Sequence, residues 1–135
     1  MKQLWLKYGV RMVGKYMIPK VPFKELYFLD DARLFRRELS LPLIYVGGVC
    51  SRANADKVLD GEGFDFVQMG RALLNEPDFV NRMMAENNHQ SPCEHVNYCI
   101  ARMYSREMAC HQHCQGLPPK ILKEIEEIKK RNEKA

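Results

Sequence analysis

Two glycine turns and one crowded run of cysteines and histidines hold the residue types in this chain that can bind or react. The turns are "YVGGV", with Gly47 and Gly48, and "QMGRA", with Gly70 and Arg71. Glycine lets backbone approach an anion closely, and amide N–H groups at a following turn or helix start point toward it. An arginine beside such a turn adds charge-assisted contacts suited to phosphate oxygens. The plainer alternative is a pair of tight turns with Arg71 in a surface salt bridge. The crowded run is "CEHVNYCIARMYSREMACHQHC", residues 93–114, which carries Cys93, Cys99, Cys110 and Cys114 together with His95, His111 and His113. Thiolates and imidazoles at this density suit a tetrahedral zinc site or an iron–sulfur cluster. Reduced thiols with no metal are the plainer reading here too. Cys50, next to the first turn, reads as a small buried residue.

The elements that must position these residues follow from periodicity. Phe28, Ala32, Phe35 and Leu39 recur at helical spacing, with Asp30 and Asp31 early and Arg33, Arg36 and Arg37 late, which complements the helix dipole. Pro42 closes that helix and opens "LIYV", a short β-rich run that ends at Gly47-Gly48. Ser51 offers a cap for "RANADKVLD", and Gly61 and Gly63 end it. "FDFVQM" is a second strand, ending at Gly70-Arg71. Asn75 and Pro77 start a further helix that runs to about Ala85. The order helix, strand, helix, strand, helix predicts a parallel α/β sheet with right-handed crossovers. In such folds ligands bind at the carboxyl ends of the strands, where both glycine turns lie. The two turns then form the two sides of one phosphate cup.

Four segments are expected. Residues 1–26 form an irregular basic stretch broken by Pro19 and Pro22, residues 27–91 the α/β part, residues 92–117 the Cys/His-rich segment, and residues 118–135 an amphipathic tail helix with Ile121, Leu122, Ile125 and Ile128 as its stripe. The 135 residues suffice for one modest domain, and a hydrophobic content of 46% argues against wholesale disorder. Net charge is +4, with Lys2, Lys7, Arg11, Lys15, Lys20 and Lys24 opposed only by Glu25 near the start. That basic stretch favours a solvated loop over a nucleic-acid surface. No apolar run approaches a membrane span, and the first residues lack the pattern of a signal peptide. Five cysteines, four of them crowded together, suit a reducing compartment, so a cytoplasmic location is expected.

The stretch "LPLIYVGGVCSRANADKVLDGEGFDFVQMGRALLNEPDFVNRM", residues 41–83, resembles the C-terminal end of the old yellow enzyme-like NADH:flavin oxidoreductases, a group that includes the 2,4-dienoyl-CoA reductases. These are FMN-dependent (β/α)8 TIM barrels. The resemblance implies that "LIYV" and "FDFVQM" are barrel strands seven and eight, and that Gly47, Gly48, Gly70 and Arg71 hold the FMN phosphate. It also implies NAD(P)H as reductant and a small electron-poor substrate. In the dienoyl-CoA reductase branch a four-cysteine cluster motif occupies the location of residues 93–114. Here its second ligand position is Val96, and Cys99 is displaced by one from its third. The barrel's first six strands and its proton-donating tyrosine have no counterpart. A C-terminal barrel fragment is therefore expected, non-catalytic alone, that self-associates or docks on a chain supplying the missing strands. The competing reading is a noncatalytic binding or assembly module, with or without a Cys/His metal site.

Overall fold

A computed structural model describes residues 21–103 and 107–134. Most of the basic stretch expected over residues 1–26 lies outside the described residues. The first helix, α1 (Leu29–Glu38), carries Asp30 and Asp31 in its first turn and Arg36 and Arg37 in its last. Strand β1 (Ile44–Val46) follows, then α2 (Arg52–Asp56), which runs on into a π-helical turn at Lys57–Gly61. Strand β2 (Phe66–Gln68) leads to α3 (Arg71–Asn75) and α4 (Phe79–Ala85). Beyond them lie α5 (Tyr98–Arg102), a 3-10 turn at His111–His113, and α6 (Pro119–Asn132).

β1 and β2 pair in parallel, with Ile44 opposite Phe66, Tyr45 opposite Val67 and Val46 opposite Gln68. Strand side chains alternate between faces, so this register puts Tyr45 and Val67 on one face and Ile44, Val46, Phe66 and Gln68 on the other. The first face is covered. Tyr45 is 1% exposed and packs with Leu29, Val49, Ala55, Val58 and Phe64. The second is bare: Ile44 is 59%, Val46 50% and Phe66 59% exposed. Nearly apolar strands such as these are ordinarily covered on both faces in parallel sheets. The difference arises because two strands with helices on one side leave the other side without a partner.

A similar shortfall marks α1. Leu29 and Ala32 turn to the core, but Phe28 and Phe35, expected on the same apolar face, stay more than half exposed. They line a groove of about 550 Å³ with Leu34, Ile44 and Val46, along the edge of β1 that pairs with no strand among the described residues. Charge fixes the helix against the body instead. Arg33 grips Glu62 through two hydrogen bonds, and Arg36 reaches Asp65 at 3.6 Å. A second core forms where α3 meets α4, around Ala72, Phe79 and Met83, with Met69 packed against both cores.

α6 spans the length expected of the tail and docks on the Cys/His-rich segment. Ile125, on the predicted stripe, is buried, whereas Leu122 stays 48% exposed. Polar contacts set the docking. Lys129 Nζ lies 2.8 Å from Glu94 Oε1, and His111 Nε2 lies 2.7 Å from Glu94 Oε2. Asn132 accepts from the Phe23 amide at 3.1 Å and donates to the Glu94 carbonyl at 3.2 Å. Partial burial works to raise the Glu94 carboxyl, but the bonds from Lys129 and His111 outweigh it and hold its pKa below the ordinary 4.5. A carboxylate whose folded pKa is depressed contributes stability that is complete above its unfolded value and vanishes as pH falls through the folded one. Hydrogen-exchange protection factors across residues 119–132, corrected for the intrinsic pH dependence of exchange, are expected to fall as pH drops below about 4.5. Glu94→Gln should abolish that acid-dependent step and cost about 1 kcal/mol at pH 7, after solvent screening of a partly exposed pair.

Candidate functional site

The register of the two strands decides where the glycine turns stand. Val46 and Gln68 are the last paired residues, and Gly48 and Gly70 each come two residues later. Both turns therefore leave the sheet at its carboxyl end, side by side. After the first turn the chain enters α2 through Ser51, whose Oγ accepts from the Asn54 amide at 3.2 Å. After the second, Gly70 is itself the N-cap of α3.

The two turns are used differently. Gly47 and Gly48 have φ of +152° and +71°, conformations in which a side chain is strained. A Cβ on Gly48 would stand 2.9 Å from the Leu26 backbone nitrogen and 3.0 Å from the Tyr27 ring. The close approach at Gly48 is thus taken by the chain's own segment, and the Leu26 amide donates to the Gly48 carbonyl at 3.3 Å. Tyr45 adds a bond from its buried hydroxyl to the Gly47 carbonyl at 2.8 Å. Gly70, by contrast, has no atom within 4 Å of where a Cβ would stand. Its backbone is open.

Arg71 links this strand end to the Cys/His-rich segment. Its guanidinium donates to Asn97 Oδ1 at 2.5 Å and lies 5.5 Å from the Phe23 ring centroid, within cation–π range. The Phe23 ring in turn stacks on His95 at 3.5 Å and 8°. Burial, then the charge of Arg71, press the His95 pKa down to about 4, against a weaker upward pull from Glu25, so the ring is neutral at pH 7. The segment reaches this position through its entry. Gln90 bridges to Ser51, and the Ser91 amide donates to the Cys50 carbonyl at 2.8 Å. Cys50 donates to Glu25 at 3.0 Å, and burial followed by that carboxylate pushes its thiol up to about 12. It is an inert, buried thiol.

Of the four cysteines singled out for a metal, Cys93, Cys99 and Cys110 line one small cavity, along with Val96, His95 and His111. Cys114 stands apart. It accepts from Arg102 at 2.9 Å and lines a different cleft, beside Tyr98, His113 and Ile121. Val96, 6% exposed, lines the same cavity as those three and carries no donor atom. Among the described residues no group of three or more His, Cys, Asp or Glu side chains is arranged to hold a metal ion. All five cysteines are free, and burial, the leading influence, keeps the Cys93 thiol above its ordinary pKa. Asn75 was expected with Pro77 to start the helix that runs to Ala85; it is instead the last residue of α3, and that helix starts at Phe79 after Asp78, which leaves Asn75 facing the Cys/His-rich segment. It is 5% exposed, donates to Cys110 Sγ at 3.2 Å, and offers its carbonyl to His113 at 2.6 Å. Nothing local in the sequence marks it for this role, because its partners lie more than thirty residues away.

Two known proteins are similar to this chain. The 4,4'-dithiodibutanoate disulfide reductase of Rhodococcus erythropolis is 43% identical over 98 residues, covering 73% of this chain and 24% of the relative. The N,N-dimethylglycine/sarcosine dehydrogenase of Chromohalobacter salexigens is 27% identical over 113 residues, covering 78% of this chain and 16% of the relative. The chain spans about a quarter or less of the length of these curated relatives. No family model and no solved structure matches it. No helix among the described residues is long and apolar enough to cross a membrane. Both relatives are oxidoreductases by name, so the similarity is to part of a redox enzyme.

The two glycine turns separate under substitution. Gly48→Ala is expected to lower stability by about 2 kcal/mol or more, since the added methyl meets backbone at a positive φ. Gly70→Ala should change the melting temperature little, because its φ of −113° is ordinary and the space is open. Thermal melts of the two variants beside the unaltered chain check both.

Proposed function

We propose that this chain is the phosphate-holding C-terminal part of an FMN-dependent NAD(P)H oxidoreductase built on a (β/α)8 barrel. The observation that carries the reading is the parallel register that sets Gly48 and Gly70 side by side at the carboxyl end of the strands, with Arg71 fixed next to them. Phosphate sites of such barrels are built from the loops after their last two strands. The similarity to a disulfide reductase and a dehydrogenase adds that the parent enzymes are redox enzymes.

In this reading the open backbone at Gly70 and the first amides of α3 receive the phosphate, and Arg71 supplies the charge-assisted contact. Gly47 and Gly48 hold the Lys24–Tyr27 segment that walls the other side. FMN, when bound, carries hydride from a reduced nicotinamide to a small electron-poor acceptor; a small disulfide belongs to the same acceptor class, given the name of the first relative. This chain's own residues bind and orient, and none of them transfers a proton. The other strands come from a partner that covers Ile44, Val46 and Phe66 and pairs with the free edge of β1.

A second reading, a noncatalytic docking module, is favoured by that same bare face. Flavin titration separates the two. FMN fluorescence should be quenched on binding, and the melting temperature should rise. An absence of both changes would remove the FMN reading for this chain and leave the docking module. The exposed sheet face also predicts self-association when the chain is alone. Size-exclusion chromatography should give species larger than a monomer, and a sharp monomer peak with a cooperative melt would contradict this.

A further inference from the structure

A cleft of about 900 Å³ opens between the segment around Phe23, the start of α3, the Cys/His-rich segment and the last turn of α6. Lys24, Arg71 and Arg131 line it, and no carboxylate does. Five other cations have carboxylate partners, Arg33 with Asp30 and Glu62, Arg36 with Asp65, Arg52 with Asp56, Arg82 with Glu76, and Lys129 with Glu94, while Arg37, Lys57, Lys120, Lys123, Lys130 and Lys134 have none among the described residues and do not line this cleft. Lys24, Arg71 and Arg131 have no such partner among the described residues. Three like charges gathered around one concavity repel each other, and the low-dielectric walls strengthen the repulsion. An anion of charge about −2 would reverse the sign of that energy. The polar contacts already in place leave donors free for it. Arg71 spends one N–H on Asn97 Oδ1 and holds four others, and the Asn97 amide nitrogen stands beside it.

We propose that Lys24 and Arg131 complete, with Arg71, a site for a phosphoryl group, so that the tail helix forms one wall of the anion site. This rests on the reading of Arg71 as a phosphate contact and extends it to two residues that no glycine motif marks. Arg131 comes from the C-terminal end of α6, and among the described residues its side chain makes no hydrogen bond or ion pair, so its charge can be removed without undoing the docking at Glu94 and Asn132. The shared chemistry is a phosphate monoester or free phosphate, and the two sources are told apart by the ligands used.

The test uses the full chain and the variants Lys24→Gln, Arg131→Gln and, as a control, Lys130→Gln, whose side chain is outside the cleft. Inorganic phosphate should raise the melting temperature of the unaltered chain and of Lys130→Gln, and raise it much less in Arg131→Gln and Lys24→Gln. Phosphate that fails to stabilise the unaltered chain, or stabilises all four proteins alike, overturns the proposal. FMN and riboflavin, which differ by the phosphate, form the second arm. Loss of either cleft charge should weaken FMN about tenfold, the worth of one charge-assisted bond, and leave riboflavin unchanged. FMN bound equally by all variants also overturns the proposal while leaving the flavin reading intact. Phosphate stabilisation that depends on Lys24 and Arg131 without any FMN binding supports the cleft and removes the flavin reading.

Discussion

Three paired residues on each of two parallel strands hold the rest of the molecule in register. The pairing of Val46 with Gln68 fixes which end of the sheet receives both glycine turns, and a slip of one residue would turn every strand side chain to the opposite face. That would expose Tyr45, which is 1% exposed and ties the Gly47 carbonyl through its hydroxyl. The buried tyrosine therefore does two things at once. It commits β1 to one face, and it sets the conformation of the turn that follows. Two other segments return to the same end, Leu26 from before β1 against Gly48, and Gln90 and Ser91 from beyond β2 against Ser51 and Cys50.

Arg71 is where these returns meet. It begins α3, points to Asn97, and lies over Phe23, which is stacked on His95. A neutral His95 suits this place, because a second positive charge beside Arg71 in a half-buried stack would be repelled; burial and Arg71 both press the ring toward neutrality. His95 and Asn97 both adopt positive φ, at 54° and 60°. Such backbone persists for residues with Cβ only where surrounding contacts over-determine it, and the stack and the Arg71 bond are those contacts. The segment after Cys93 is thus shaped by Arg71 as much as by its own cysteines.

Local chemistry was legible in the sequence where short-range rules apply. Helices α1, α4 and α6, both strands and the Ser51 cap all follow from periodicity, turn residues and capping. α3 and α5, five residues each, were not foreseen, since so few residues display no period and their helical form is set by what packs on them. The apolar face of α1 was read as Phe28, Ala32, Phe35 and Leu39, yet the buried position is Leu29, because the core lies on the sheet side and Phe35 looks past the edge of β1. Arg71 was legible as a group beside a bare glycine. Its bond to Asn97 and its place in a cleft with Lys24 and Arg131 were not, because those contacts join residues 26 or more positions apart.

The bare face of the sheet sets how binding by this chain must be understood. Ile44, Val46 and Phe66 are each at least half exposed, so a partner that covered them would recover about 1 kcal/mol apiece of burial not yet realised. That sum, about 3 kcal/mol, is a large fraction of the 5–15 kcal/mol that holds an ordinary domain folded. Covering the face therefore shifts the folded population appreciably, and with it the fraction of molecules in which Gly48, Gly70 and Arg71 stand in register. An anion that binds only the registered form has its apparent affinity reduced by that fraction. An anion and a partner of this kind would then favour each other, since each would stabilise the arrangement the other requires. A site at the carboxyl end of this three-residue strand pair and a partner on its bare face would be coupled through the pairing itself, with no need for a longer path.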